Sequence, residues 1–166
     1  MTTILTLMII GLPWIGALLV WVIGDKHEKI QHWLSVAFAL AATGCAVVLL
    51  PQASSEASVN ISIGSTFGNY TFVPDGLGLF LSIVATAIGS LAILFSTSYM
   101  RGESQLERYY SFVLFFIGAM TGLVLTSNIM LMFVFWEITA LCSYALIAFH
   151  NDDPKAVRGG LKALLI

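Results

Sequence analysis

Hydrophobic residues along the chain form five long runs, and polar segments separate each run from the next. The five runs are Ile4–Ile23, Ile30–Leu50, Leu77–Ser98, Tyr109–Leu125 and Ile129–Phe149. An α-helix needs roughly 20 apolar residues to cross a hydrocarbon core of about 30 Å, and each run is close to that length. The pattern therefore predicts an all-α polytopic membrane protein with five transmembrane helices.

The composition of the chain agrees with this pattern. Of the 166 residues, 58% are hydrophobic and only 10% are charged, whereas a typical soluble domain has about 25% charged residues. So few charges cannot cover a water-facing surface of normal size, which excludes the soluble globular classes. The formal net charge of −2 and the lack of a basic stripe in the sequence give no sign of nucleic acid as a partner.

The segment 51–74 differs from the apolar runs because it is polar and contains no Lys or Arg. Hydrophobic and polar residues alternate from Val59 to Ile63 and again at Tyr70 and Phe72, with a glycine-bounded turn between the two stretches. Alternation with a period of two residues is typical of strands. We therefore expect a small β-hairpin in this loop, at the membrane surface.

The basic residues all lie in alternate connections between the runs. They are Lys26, Lys29, Arg101, Arg108, Lys155, Arg158 and Lys162. With five complete spans these connections share one side of the membrane, and an excess of Lys and Arg marks the cytoplasmic side. The prediction is a single membrane domain over 1–166, with an extracytoplasmic N-terminus and an outward-facing loop at 51–74.

A sixth helix begins after the fifth run. Pro154 suits the first turn of a helix, where its missing N–H is not needed. The ten residues from Val157 to Ile166 would form about 15 Å of helix, which is too short to cross the bilayer. We therefore expect either a fragment of a longer chain or a fold that another chain completes.

Glu137 is the one acidic or basic residue within the fifth run, and it lies near the middle. Inserting a charged side chain at that depth costs roughly 2.5–3.5 kcal/mol, and such residues usually mark proton or ion pathways. Helical spacing places Tyr144 and the small residues Ala140 and Ala148 on the same face. Small residues let another helix approach closely. Glu137 is therefore the candidate proton carrier, and a neutral carboxyl that makes one interhelical hydrogen bond is the structural alternative.

Five short motifs carry a resemblance to a known family. They are Pro74-Asp-Gly-Leu-Gly-Leu-Phe80, Ser98-Tyr-Met-Arg-Gly-Glu103, Phe135-Trp-Glu137, Leu141-Cys-Ser-Tyr144 and Ile147-Ala-Phe149. In order and spacing they resemble the antiporter-like membrane subunits. That family includes the proton-pumping subunits of respiratory complex I (NADH-quinone oxidoreductase), Mrp-type sodium/proton antiporter subunits and membrane-bound hydrogenase subunits. The resemblance covers nearly the whole chain and corresponds to the N-terminal portion of a family member.

The resemblance implies roles for individual residues. The glutamate of the Trp-Glu pair takes part in proton transfer in the family, and it corresponds to Glu137. The family pairs it with a lysine on a later, broken helix, which this sequence does not contain. Lys162 matches the place of a family lysine near the start of the sixth helix. A lysine whose chain reaches the membrane surface is the structural alternative for Lys162.

Two further residues are candidates for the same proton path. Tyr144 shares the face of Glu137, and His150 lies at the predicted cytoplasmic mouth of the fifth run. An ordinary surface histidine is the alternative for His150. The sequence shows no cysteine cluster, zinc-ligand spacing, P-loop or dinucleotide-binding glycine pattern, so we expect no cofactor and no metal. Cys45 and Cys142 lie within apolar runs and are interpreted as packing residues.

Two functional hypotheses remain open from the sequence. The first is a proton-translocating subunit of an energy-coupling membrane complex, of complex I, Mrp or hydrogenase type, with protons and alternatively sodium as the transported ions. The second is a non-conducting structural or assembly subunit of such a complex. Both imply other membrane subunits and the lipid bilayer as partners, and neither places a redox or hydrolytic site on this chain. The environment of Glu137 discriminates between them.

Overall fold

The computed structural model of the chain describes residues 2–24, 28–53, 58–62, 69–100, 102–103 and 105–165. Within these ranges the fold consists of helices and one two-stranded hairpin. In chain order the elements are α1 (Thr2–Ile23), α2 (Glu28–Leu49) with a single 3₁₀ turn (Leu50–Gln52), β1 (Val59–Ser62), β2 (Asn69–Phe72), α3 (Gly76–Tyr99), α4 (Leu106–Leu125), α5 (Ile129–Ile147) and α6 (Pro154–Leu165).

Helices α1 to α5 are each long and apolar enough to cross a bilayer, with mean hydropathy between 1.5 and 2.3 over their most apolar stretches. This confirms the five predicted spans. The observed bounds lie within three residues of the predicted ones, and the largest shift is at the start of α4. Helix α4 begins at Leu106 instead of Tyr109, because Leu106 is buried against the bundle and extends the packed turn. Helix α5 ends at Ile147, two residues earlier than predicted.

Helix α4 lies at the centre of the bundle. It packs against α1, α3 and α5 and also contacts α2, whereas α5 packs mainly against α4 and α6. Of the five spanning helices α4 is the most buried and α5 the least buried. The helix that carries Glu137 therefore lies at the edge of the bundle and leaves much of its surface open.

Glycines on α4 allow its neighbours to approach closely. A Cβ atom at Gly118 would collide with the indole ring of Trp14 on α1, and one at Gly122 would collide with the ring of Phe135 on α5. Close backbone approach through small residues is the usual way in which membrane helices gain packing energy, since lipid offers no hydrophobic gain for their association. Here it places aromatic rings from both neighbouring helices against α4.

The predicted hairpin is present, with Val59 paired with Phe72 and Ser62 with Asn69 in an antiparallel register. Its turn, residues 63–68, lies outside the described residues. The hairpin joins the connection between α4 and α5, since the Val73 amide donates to the Leu125 carbonyl at 2.7 Å. The Ser127 amide donates to the Thr71 carbonyl at 2.9 Å. The hairpin thus holds the point at which α5 begins.

Local capping explains where two of the spanning helices start. Asp75 is the N-cap of α3, and its carboxylate accepts a hydrogen bond from the Gly78 amide at 2.7 Å. Asn128 caps α5, and its side-chain oxygen accepts from the amides of Met130 and Leu131 at 2.9 and 3.2 Å. With its first turn fixed in this way, α5 carries Glu137 eight residues further on, about 12 Å from its start.

Candidate functional site

Glu137 lies at the middle of α5 and points away from the bundle. The residues of α5 that are buried against the rest of the chain are Phe135, Cys142 and Ala145. Since successive helical residues are about 100° apart, Glu137 projects almost opposite to Phe135. Its side chain is exposed on the surface of the chain. The carboxylate therefore belongs to a face of α5 that the other helices of this chain do not cover.

The surroundings of Glu137 on that face are apolar. Its exposed neighbours at helical spacing are Met130, Phe133, Val134 and Leu141. Among the residues that the structure describes, Glu137 has no hydrogen-bond or ion-pair partner. The arrangement is thus neither a sealed apolar contact nor a hydrated interior with a basic partner. It is a carboxylate in the middle of an open, apolar helix face.

Tyr144 lies on α5 seven residues after Glu137, about 10.5 Å along the helix. Here α6 crosses α5 through a glycine. A Cβ atom at Gly160 would lie 3.0 Å from the Ala148 Cβ and 3.1 Å from the Tyr144 Cδ2. The small residue Ala148 thus permits a close helix approach, as predicted, and the tyrosine ring is half-buried at the crossing.

Lys162 lies on α6, two residues beyond the crossing at Gly160, and is exposed. The helix begins at Pro154, so the lysine is eight residues into it, about 12 Å from its start. The resemblance implied a place near the start of the sixth helix, whereas Lys162 lies about two turns into it. Lys155 and Arg158 share its face, which makes α6 amphipathic.

His150 lies just beyond the end of α5 and is exposed. Its ring packs edge-on against Phe149, with 5.3 Å between the ring centroids, and Phe149 in turn packs against Tyr109 of α4. The four predicted site residues are therefore not brought together. Glu137 is at the centre of α5, Tyr144 under α6, Lys162 on α6 itself and His150 at the end of α5.

The structure reveals a polar cluster that the sequence reasoning missed. The Nδ1 atom of His32 on α2 lies 2.6 Å from the hydroxyl of Tyr110 on α4. The Nε2 atom of the same ring lies 3.3 Å from the Glu28 carboxylate. Tyr110 is fully buried and His32 is 9% exposed. The spacing of Glu28 and His32, four residues apart at the start of an apolar run, is a signal that was present in the sequence.

In the described part of the chain, no group of three or more His, Cys, Asp or Glu side chains that could hold a metal ion occurs. Cys45 and Cys142 are both free, and Cys142 is buried in the packing of α5. The hydroxyl of Thr121 donates to a carbonyl of its own helix at 2.8 Å, as expected for a polar residue within a span.

Two family models match the chain in succession. "NADH-Ubiquinone oxidoreductase (complex I), chain 5 N-terminus" matches residues 61–110, and "NADH:quinone oxidoreductase/Mrp antiporter, TM" matches residues 126–166. The second match includes Glu137, Tyr144, His150 and Lys162. Together the matches span more than half of the chain.

Curated relatives and solved structures agree with these matches. The Na(+)/H(+) antiporter subunits A1 of Staphylococcus aureus strains RF122 and JH9 are each 39% identical over 98 residues, which is 59% of this chain and 12% of the relative. The chain thus spans about 12% of the length of the curated relatives that it matches.

Two solved structures share the fold. A chain of the membrane-bound sulfane sulfur reductase, an archaeal respiratory membrane complex, matches with a TM-score of 0.81 and 24% identity, over 98% of this chain and 34% of that one. A chain of the Mrp complex from Dietzia sp. DQ12-45-1b matches with a TM-score of 0.78 and 23% identity, over 99% and 17%.

The five apolar helices define a multi-pass integral membrane protein, with a carboxyl group near the middle of its fifth spanning helix. The two family matches then identify the kind of membrane protein. The chain belongs to the antiporter-like family of membrane subunits and corresponds to its N-terminal portion.

Proposed function

We propose that the chain is the N-terminal part of a proton-translocating antiporter-like subunit and that Glu137 is its proton carrier. The observation that carries the proposal is the position of this carboxylate, at the middle of a spanning helix and on the face that the bundle leaves open. A carboxylate at mid-membrane is costly and tends to be retained where protons or ions pass.

The open face around Glu137 also indicates what completes the site. A carboxyl that alternates between its neutral and ionised forms needs a positive charge nearby to stabilise the ionised form. The described residues supply none to Glu137. We propose that a helix other than α1 to α6 covers the open face and brings a cationic side chain to Glu137.

The other predicted residues would extend the path from Glu137 towards the end of α5. Tyr144 lies in that direction and carries a hydroxyl that exchanges protons with water. His150 lies at the exposed end, and Lys162 lies on the helix that crosses α5 beside Tyr144. Since more than 10 Å separates Glu137 from Tyr144 along the helix, water molecules would have to bridge the gap.

The assembly and orientation are part of the same proposal. The single membrane domain would function with other membrane subunits of an energy-coupling complex, in a bacterial, archaeal or organelle inner membrane. Protons would be transported, with sodium as the alternative ion. The N-terminus and the loop at 51–74 would lie outside, because the basic connections favour the cytoplasmic side.

Proton movement in vesicles that contain the assembled complex tests the role of Glu137. Glu137→Gln keeps the shape and hydrogen-bonding capacity of the side chain and cannot ionise, so we expect proton movement to fall by about 100-fold or more. Glu137→Asp keeps the carboxyl and shortens its reach, so its effect should be smaller. Glu103→Gln, in the polar connection after α3, is the matched control and should change little. Native gels check assembly. Full proton movement by a normally assembled Glu137→Gln complex would end the carrier hypothesis.

A non-conducting scaffold is the second candidate, favoured by the lack of a described basic partner for Glu137. In that case a neutral amide replaces a neutral acid without loss, and Glu137→Gln should leave assembly and proton movement intact. Glu137→Asp should then weaken assembly, because the shorter side chain loses its contact across the interface. The order of the two variants therefore separates the candidates.

The proposed orientation is tested with single cysteines in a background from which Cys45 and Cys142 have been removed. Ser58→Cys lies before the hairpin and Asp152→Cys lies after α5, and both positions are exposed. A membrane-impermeant maleimide added to intact cells should label the first and not the second. Labelling of both positions from one side would contradict the five-span orientation.

A further inference from the structure

A groove between α2 and α3 lies at the end of the bundle where α2 starts and α3 ends. Its outer part is a cavity of about 750 Å³, and its polar lining includes Glu28, Lys29, His32, Trp33 and Thr97. A second cavity of about 250 Å³ lies deeper, between Leu40 on α2 and Ala87 and Leu91 on α3. Val36 and Leu94 line both cavities, so the two adjoin each other along the groove between α2 and α3.

Among the residues that the structure describes, the outer part of the groove presents one negative and one positive side chain. The Glu28 carboxylate is partly exposed and is held through His32, whose other ring nitrogen is bonded to the buried Tyr110. Lys29 is exposed, and no described residue pairs with it. The exposed ring of Trp33 stands beside both, as aromatic side chains do at the level of lipid headgroups.

The inner part of the groove has no polar group that needs a hydrogen bond from a bound molecule. Its lining is aliphatic except for Thr43 and Ser90, and these two hydroxyls lie 3.0 Å from each other. The Thr43 hydroxyl also lies 3.0 Å from the carbonyl of Ala39. Because the polar groups are satisfied within the protein, this part accepts a hydrocarbon chain without leaving a hydrogen bond unmade.

We propose that this groove binds one phospholipid molecule whose headgroup carries a primary ammonium group, such as a phosphatidylethanolamine. The ammonium group would donate hydrogen bonds to Glu28, the phosphate would pair with Lys29, and an acyl chain would lie along Val36, Leu94 and Ala87. The order of polar and apolar groups along the groove matches the order along such a lipid. This inference does not depend on the proposed proton function.

The charges of the groove distinguish among lipid headgroups. A trimethylammonium group of choline has no N–H to donate to Glu28, so it forfeits the charge-assisted hydrogen bonds. A glycerol headgroup leaves the lipid with a net negative charge and offers no cation to the carboxylate. A primary ammonium with a phosphate satisfies both Glu28 and Lys29.

The test uses the assembled membrane complex that contains the chain. The complex is incorporated into nanodiscs with equal amounts of ethanolamine, choline and glycerol phospholipids that have the same acyl chains. It is then washed in mild detergent, and the retained lipids are measured by mass spectrometry. Ala87→Phe fills the inner groove, so we expect this variant to retain one lipid molecule fewer than the wild type. The lipid that the wild type retains in addition should be enriched about three- to tenfold in the ethanolamine form.

Substitutions of the side chains that would contact the headgroup distinguish binding at the proposed site from nonspecific lipid adhesion. Glu28→Gln removes the negative charge and should abolish the preference for ethanolamine over choline lipid. Lys29→Gln should lower retention of all three lipids. Ala41→Phe, at an exposed position of α2 that does not line the groove, and Lys155→Gln are the matched controls and should retain the wild-type pattern. Equal retention by wild type and Ala87→Phe would overturn the proposal, and so would a preference for the glycerol lipid.

Discussion

Helices α4 and α5 are neighbours of similar length and apolar character, yet they occupy opposite positions in the fold. Helix α4 is enclosed by α1, α3 and α5, and its buried face is rich in small residues such as Gly118, Ala119 and Gly122. Helix α5 buries only Phe135, Cys142 and Ala145 against the chain. The difference shows that one helix organises the bundle, whereas the other leaves most of its surface uncovered by the described part of the chain.

The two helices also differ in whether a polar side chain has a hydrogen-bond partner among the described residues. On α4 the Ser111 hydroxyl is satisfied within the chain, since it donates to the Ala17 carbonyl of α1 at 2.9 Å. Glu137 on α5 has no such partner among the described residues. A polar group that is already satisfied stabilises the bundle, whereas an open one is available for a transported ion or an incoming helix.

The largest expected effect on stability comes from the close approach of α4 and α1. Gly118→Ala places a methyl group against the Trp14 ring and 3.0 Å from the Ile10 carbonyl oxygen. The ring cannot move away easily, because Phe115 and Phe135 lie edge-on to it with centroids 6.0 Å distant. We expect a loss of about 1–3 kcal/mol in the free energy of unfolding, measured by thermal or denaturant unfolding in detergent.

The matched control for this prediction is Gly44→Ala on α2. A Cβ atom there meets nothing within 4 Å, and the glycine is exposed. Replacing it should be neutral or should stabilise the helix by up to about 1 kcal/mol through backbone propensity. Equal destabilisation by the two alanine variants would contradict the central position of α4.

Smaller effects are expected when the hydroxyl is removed from one tyrosine on α4 and from one on α5. Tyr110→Phe on α4 removes the 2.6 Å hydrogen bond to the buried His32, so we expect a loss of about 1 kcal/mol in unfolding free energy. Tyr144→Phe on α5 should leave stability unchanged and lower proton movement in vesicles. The exposed Tyr99, changed to Phe, is the control for both measurements.

The prediction for Tyr110 and Tyr144 is contradicted if either substitution has the effect expected of the other. A destabilising Tyr144→Phe with normal proton movement would mean that α5 is an ordinary packing helix at the crossing with α6. A neutral Tyr110→Phe would mean that the contact between α2 and α4 rests on apolar packing alone. Either result would remove the distinction drawn between the two helices.

Much of the fold was predictable from local patterns in the chain. The five spans follow from run length, since the bilayer sets the length that a crossing helix must have. The helix starts at Asp75 and Asn128 follow from side chains that satisfy the first free amides. The strand alternation that ends at Phe72 predicted the hairpin for the same local reason, a period of two residues.

The candidate site was only partly predictable. Glu137 stands out in any reading of the sequence, because a single acid in a long apolar run has a high cost of insertion. Its exposure on the bundle edge, the crossing of α6 at Gly160 and the bond between His32 and Tyr110 were not predicted. The last pair is 78 residues apart in sequence, so no local pattern connects the two rings.

By itself, the sequence determined the number of spans, the helix caps, the hairpin and the position of the carboxylate along α5, because each depends on neighbouring residues or on bilayer thickness. Tertiary structure alone decided that α4 lies inside, that α5 lies at the edge and that α2 and α3 form a groove. The physical reason is that a lipid-facing side and a protein-facing side of a membrane helix are almost equally apolar. Hydropathy therefore places a helix in the membrane, and only packing decides which way each of its faces turns.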